Sequence, residues 1–360
     1  MGELKLLKGN EAFAEAAIRA GVDAYFGYPI TPQSEVLEYF MAEKPHERSG
    51  MVVLQAESEV AAINMVYGAA STGKRAMTSS SSPGISLKME GVSYMAGAEL
   101  PGVILNVVRG GPGLGTIQPS QADYFQATKG GGHGDYRLIV LAPSSVQEMY
   151  DFVKIAFELT FKYRNPVMML SDGVIGQMME KVQLSDPIPR RTDAEVIKEC
   201  PWATTGKPKT RERNIITSLY LQALKQEKHN IHLQEKYRMI EESEVRFEKF
   251  QCEDAEYLYV AYGSSARIAQ NAVQKARAKG IKAGLLRLIT LFPFPKKEIA
   301  SLANNVKGMI AVEMSAGQLV EDVRLAVNGK VPVEHFGRMG GVIHSPEEVL
   351  NALEKRFIGG

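Results

Sequence analysis

Over residues 1 to about 185, short apolar runs alternate with stretches of helical periodicity, and this alternation narrows the fold more than any other feature. Strand candidates are 22–26, 50–54, 75–78, 102–108, 137–142 and 167–171, each ending near Gly, Pro, Ser or Arg. The intervening patterns, 59–71 and 145–162 among them, carry helical spacing. Such alternation predicts a parallel sheet covered by helices on both faces, hence an α/β class. From 186 to 256 the character changes to a proline-rich exit, a mixed-charge stretch at 207–213 and one charged helix. That helix carries Leu233, Tyr237, Ile240 and Phe247 as one apolar face and is expected to pack on a domain or a partner chain. A second, smaller α/β unit over 257–360 opens with LYVAYGSSARIAQNAV, which reads as strand, glycine turn and helix. Further strands are expected at 281–286, 309–312 and 331–335.

Composition excludes several function classes. A formal net charge of +1 and the lack of a basic stripe with interleaved aromatics argue against nucleic-acid binding. No apolar run approaches the roughly 20 residues that cross a bilayer. The opening MGELKLLKGNEAF has no secretory apolar core, so a cytoplasmic location is expected. Cys200 and Cys252 stand alone, which excludes a disulfide framework and an iron–sulfur cluster held by this chain. His229 and His232 have helical spacing but no third ligand, so no metal site is expected.

Four segments can carry chemistry. In GYPITPQS (27–34) two prolines keep the backbone extended between a strand and a helix. Thr31 lies there at a strand's carboxyl end, where open α/β sheets bind ligands. A rigid turn with no ligand explains the segment equally well. In QAESEVAAIN (55–64), Glu57 and Glu59 stand at a strand-to-helix boundary. Glu59 either complements the helix dipole or, partly desolvated among small residues, acts as a proton-sharing acid with a raised pKa. MTSSSSPGIS (77–86) is expected to form a hydroxyl-rich loop. In VVRGGPGLGT (107–116), Arg109 ends a strand before a glycine-rich loop that is not a Walker loop. Its guanidinium suits a carboxylate ligand or an internal salt bridge. If the strands are parallel, Thr31, Glu59, the serines and Arg109 share one sheet edge. Gly263-Ser264-Ser265 offers another anion site or a plain turn.

Together GYPITPQSE, ESEVAAINMVYGAA, MTSSSSPG and VVRGGPGLGTIQPSQADY resemble the alpha-type subunit of 2-oxoacid:ferredoxin oxidoreductases. The likeness is greatest to the 2-oxoisovalerate (3-methyl-2-oxobutanoate) branch of the family, with 2-oxoglutarate or pyruvate enzymes as alternatives. It implies oxidative decarboxylation of a 2-oxoacid to an acyl-coenzyme A, with ferredoxin as electron acceptor. It implies a thiamine-binding-type domain over 1–185 on the pyrimidine side, a connector over 186–256 and a transketolase carboxyl-terminal-like domain over 257–360. Glu59 matches the position whose carboxylate meets the aminopyrimidine ring of thiamine diphosphate. Tyr28, Pro29 and Ile30 match the cofactor-side turn. Thr31 and Arg109 match positions that hold the substrate's carboxylate and oxo group. The magnesium motif is absent, since Ser171-Asp172-Gly173 has no asparagine after it until Asn214. By the resemblance, the magnesium and diphosphate belong to a beta-type subunit and the iron–sulfur clusters to a ferredoxin-like subunit. The chain alone is then expected to be silent. A dicarboxylate substrate would need a second cation, for which Lys88, Lys129 and His133 are candidates. Two other readings stay open: the pyrimidine-side half of a different thiamine enzyme, and a non-catalytic carboxylate-binding module.

Overall fold

In a computed structural model describing residues 3–359, the first strand–helix series builds one sheet of seven strands. Their order is Thr290–Phe292, Ile139–Leu141, Pro166–Asp172, Gly102–Val108, Ala76–Ser80, Ala24–Gly27 and Val52–Gln55. All neighbours run parallel except Thr290–Phe292, which lies antiparallel on Ile139–Leu141. Every residue of Gly102–Val108 and Pro166–Asp172 is buried, so both faces of the sheet centre are covered. That is why these two strands read as largely apolar runs rather than alternating ones. Helices Gly9–Arg19 and Val146–Tyr163 pack together, as do Glu59–Ser71 and Ser82–Gly97.

A second sheet holds five strands in the order Val333–Gly337, Gly308–Glu313, Tyr257–Tyr262, Ala283–Leu288 and Phe247–Phe250. The first four are parallel; Phe247–Phe250 closes the edge antiparallel to Ala283–Leu288. Phe247 therefore belongs to a strand and not to the apolar face of the preceding helix, because pairing with Leu288 gives its backbone a partner. That helix, Ala223–Ser243, buries Leu233, Tyr237 and Ile240. It docks on the first unit through His229 to the Gly97 carbonyl at 2.7 Å and Lys236 to Glu99 at 3.2 Å. A two-stranded ribbon, Leu4–Lys8 with Met179–Gln183, completes the strands. Among the described residues no helix is long and apolar enough to cross a membrane.

The serine run is not a loop. Ser79 and Ser80 finish a strand and Ser82 opens a helix, with Pro83 in its first turn. Pre-set φ makes proline a good starter there, so strand and helix meet almost without a connector.

Two polar contacts lock the units together. The Asp172 carboxylate caps Gly173–Gln177 through the Val174 N–H at 2.9 Å, and also accepts from the Ser264 hydroxyl at 2.7 Å. The anion held at Gly263-Ser264-Ser265 is thus the chain's own Asp172. Burial pushes that carboxyl up, and the Ser264 and backbone donors pull it back. The Gln121 side chain donates to the Tyr262 carbonyl at 2.9 Å and accepts from Ser265 Oγ at 2.6 Å and the Met314 N–H at 2.9 Å.

Candidate active site

Parallel register aligns the carboxyl ends of the strands at one sheet edge. Gly27 pairs with Gln55, Ser80 with Asn106 and Val108 with Asp172. The residues after these ends therefore lie along that edge.

The turn after Gly27 is pinned from below. Gln33 is fully buried; its amide donates to the Tyr28 carbonyl at 3.1 Å and accepts from Ser79 Oγ at 2.5 Å. Asn10 and Gln177 each donate to the Pro32 carbonyl at 2.8 Å. Pinning the backbone leaves Thr31 exposed at the tip, with Tyr28 and Ile30 half-buried and Pro29 exposed beside it.

Arg109 reaches this turn directly. Its Nη1 donates to the Thr31 carbonyl at 2.9 Å and its Nη2 to the Leu114 carbonyl at 3.1 Å. The side chain is 8 % exposed, and its Nε is buried without a hydrogen-bond partner. No carboxylate ion-pairs with it among the described residues, so the internal salt-bridge reading falls away. The carbonyls cancel none of its charge, which remains available to an anion.

Behind Arg109 lies a buried polar knot that sequence reasoning missed. Its N–H donates to Ser82 Oγ at 3.0 Å, and Ser82 Oγ donates to Asp123 at 2.8 Å. Asn106 also donates to Asp123, at 2.9 Å. Burial pushes the Asp123 carboxyl up while these two donors oppose the rise. The knot ties the starts of the Ser82–Gly97 and Tyr124–Thr128 helices to the end of Gly102–Val108. A sequence signal existed: Asn106 is the one polar residue inside the apolar run 102–108.

Glu59 opens the helix Glu59–Ser71, whose N-cap is Ser58 accepting from the Ala61 N–H at 3.2 Å. With the cap supplied by Ser58, the Glu59 carboxylate is not needed for that task. It is 7 % exposed, and no side-chain hydrogen bond reaches it among the described residues. It lies against Gly84: a Cβ there would fall 2.7 Å from Glu59 Oε1 and 2.1 Å from Ser80 Oγ. Only glycine leaves this approach open. Ser80 Oγ and Ser81 Oγ are buried and unpartnered. Glu57, by contrast, is exposed.

Beside the Thr31 turn runs a cleft of about 660 Å³ lined by Thr31, Glu35, Ile117, Val174, Gln177 and Ile343. Ile343 comes from the carboxyl-terminal unit, whose Gly340 and Gly341 backbone packs on Gly110. Of the three cations weighed as partners for a second carboxylate, Lys129 is paired with Asp322. His133 packs edge-on against Tyr94, and Lys88 lies beneath Glu59. Among the described residues no cluster of three or more His, Cys, Asp or Glu could hold a metal ion. Cys200 and Cys252 are buried and free.

Comparison with known proteins gives this geometry a family. Residues 15–244 match the family model "pyruvate flavodoxin/ferredoxin oxidoreductase, thiamine diP-bdg". Residues 255–349 match "pyruvate:ferredoxin oxidoreductase core domain II". The chain is 52 % identical over 354 residues to ketoisovalerate oxidoreductase subunit VorB of Methanothermobacter thermautotrophicus, covering 98 % of this chain and 97 % of that one. It is 38 % identical over 376 residues to 2-oxoglutarate synthase subunit KorA of the same organism, covering 99 % of each. Among solved structures, the 2-oxoglutarate:ferredoxin oxidoreductase of Magnetococcus marinus, with 2-oxoglutarate, coenzyme A and succinyl-CoA bound, superposes with a TM-score of 0.82 at 25 % identity. That match covers 98 % of this chain and 65 % of the other. The chain belongs to the pyruvate flavodoxin/ferredoxin oxidoreductase family, among the alpha-type subunits of the 2-oxoacid:ferredoxin oxidoreductases.

Proposed function

We propose that this chain is the pyrimidine-side subunit of a thiamine-dependent enzyme that oxidatively decarboxylates 2-oxoisovalerate. The products are an acyl-coenzyme A and carbon dioxide, and the electrons go to ferredoxin. The observation that carries this reading is the polar cluster at Glu59. A carboxylate without a side-chain hydrogen bond and the buried, unpartnered Ser80 hydroxyl both lie against a glycine with no room for a side chain, and the next hydroxyl in sequence, Ser81, is also buried and unpartnered. Buried polar groups without partners are rare, so a polar ligand is expected to satisfy them. The flat, hydrogen-bonding aminopyrimidine of thiamine diphosphate fits that donor and acceptor set.

When bound, thiamine diphosphate supplies the carbon centre that adds to a 2-oxo group and takes up the electron pair left by decarboxylation. This chain's own side chains would hold the pyrimidine ring and the substrate. Glu59 would hold a proton for the ring nitrogen. Tyr28, Pro29 and Ile30 would supply the cofactor-side turn. Arg109 and Thr31 receive the substrate's carboxylate, and the carbonyl contacts that fix Arg109 hold its charge in place before substrate arrives.

A branched aliphatic tail needs apolar wall and no further cation, which suits Lys129 and His133 being engaged elsewhere. The same logic makes a dicarboxylate such as 2-oxoglutarate the weaker substrate. Asp172 is consumed by Ser264 and so is not free for magnesium. We therefore assign the magnesium and diphosphate to a beta-type subunit and the iron–sulfur clusters to a ferredoxin-like subunit, with the complex in the cytoplasm. Functionally the chain divides into 1–185, 186–256 and 257–360.

The test is reconstitution. The complex assembled with its partner subunits should show kcat/KM for 2-oxoisovalerate at least about tenfold above that for pyruvate or 2-oxoglutarate. The chain alone, given thiamine diphosphate and a dye acceptor, should turn over none of them. Turnover by the isolated chain, or equal rates on all three acids, refutes the reading.

A further inference from the structure

Lys88 lies on the helix Ser82–Gly97, one turn after Gly84, and is 0 % exposed. Ile85 and Val92, at helical spacing from it, and the adjacent Met89 are buried and apolar. An ammonium in such a stripe is costly unless something offsets it, and a methionine would fill similar space without that cost. Its Nζ has one hydrogen-bond acceptor among the described residues, the main-chain carbonyl of Glu59 at 3.3 Å. Burial pushes the ammonium down to about 8, and the charge of Glu59 opposes that fall. The lysine thus meets the first residue of Glu59–Ser71 through its main chain, while Gly84 and the unpartnered Ser80 hydroxyl lie against the Glu59 side chain.

We propose that Lys88 is a positioning residue for Glu59: its ammonium anchors the Glu59 carbonyl and, with its charge on the protein side of that residue, holds the Glu59 side chain in place for the cofactor's aminopyrimidine. This rests on the thiamine reading above. Removing that charge leaves the start of Glu59–Ser71 without its anchor and the Glu59 side chain free to shift away from the ring.

The experiment uses the complete complex carrying Lys88→Met, and Lys88→Gln, which keeps a donor but no charge. Three quantities are read: kcat and KM for the 2-oxoacid, thiamine diphosphate affinity by calorimetry, and the near-ultraviolet circular-dichroism band of the bound aminopyrimidine. Both variants should lose about tenfold or more in kcat, keep KM within about threefold and lose most of the dichroism band. Lys88→Met should melt no lower than the parent. A variant that keeps kcat and the band, or loses activity only in step with a lowered melting temperature, overturns the proposal. If Lys88→Met fails to assemble, Lys88→Gln decides by the same criteria. If the parent complex itself takes up no thiamine diphosphate, the thiamine reading falls and the role of Lys88 falls with it. Parent binding with unaltered variants overturns the lysine's role alone.

Discussion

Glu59 and Gly84 make one device from two helices, and its parts can be tested singly. Glu59→Gln keeps the shape and removes the titrating group. In the reconstituted complex kcat should fall by about 10²- to 10⁴-fold, as for other essential acids, with little change in melting temperature. Gly84→Ala places a methyl group against Glu59 and Ser80. Overpacking of this kind costs about 1–3 kcal/mol, and calorimetry should show weakened thiamine diphosphate binding. Lys88 gives a pH signature. Its folded-state value of about 8 lies below the ordinary 10.5, so between those limits the unfolded chain binds more protons. Stability from this group therefore rises as pH climbs from about 8 to 10.5, and the excess is absent in Lys88→Met. Denaturant midpoints of parent and variant should diverge over that window. The placement of Thr31, Arg109 and Glu59 just past strand ends was legible because proline, glycine or a helix start marks where each strand stops. Lys88 was not: sequence offered it only as a cation for a second carboxylate. Its place in the stripe of Ile85, Met89 and Val92 was the signal that it is buried.

At the scale of elements, periodicity located the parallel strands because burial on both faces leaves apolar runs with clear ends. The helix expected over 59–71 is Glu59–Ser71, and the strand expected over 102–108 is Gly102–Val108. Antiparallel pieces escaped. Leu4–Lys8, Met179–Gln183, Phe247–Phe250 and Thr290–Phe292 are edge or ribbon strands, exposed or short, and their composition does not separate them from loops. Serine favours turns, which predicts a loop for the Ser79–Ser82 run, yet ladder bonds to Gly102–Val108 outweigh that preference at Ser79 and Ser80. Asp172 shows how one carboxylate can serve two helices, Gly173–Gln177 and Gly263–Ala278. Asp172→Ala strands both sets of donors and should cost about 3 kcal/mol in urea unfolding, whereas Asp172→Asn keeps an acceptor and should cost less.

At the scale of the whole molecule, the two sheets are not independent bodies joined by a string. Gln121 is hydrogen-bonded to Tyr262, Ser265 and Met314, and the strand Thr290–Phe292 borrows its partner from the first sheet. Gln121→Ala leaves buried donors and acceptors unmatched and should lower stability by about 2–4 kcal/mol, read as one earlier cooperative transition rather than as two. The strand Thr290–Phe292 carries a consequence for how the polypeptide is made. A ribosome that has delivered only the first 256 residues has not yet supplied the closing ribbon for Ile139–Leu141. The nascent amino-terminal part therefore waits with a bare flank of unpaired amides. Fragments severed upstream of that strand should clump on expression and regain solubility when the missing part is supplied in trans.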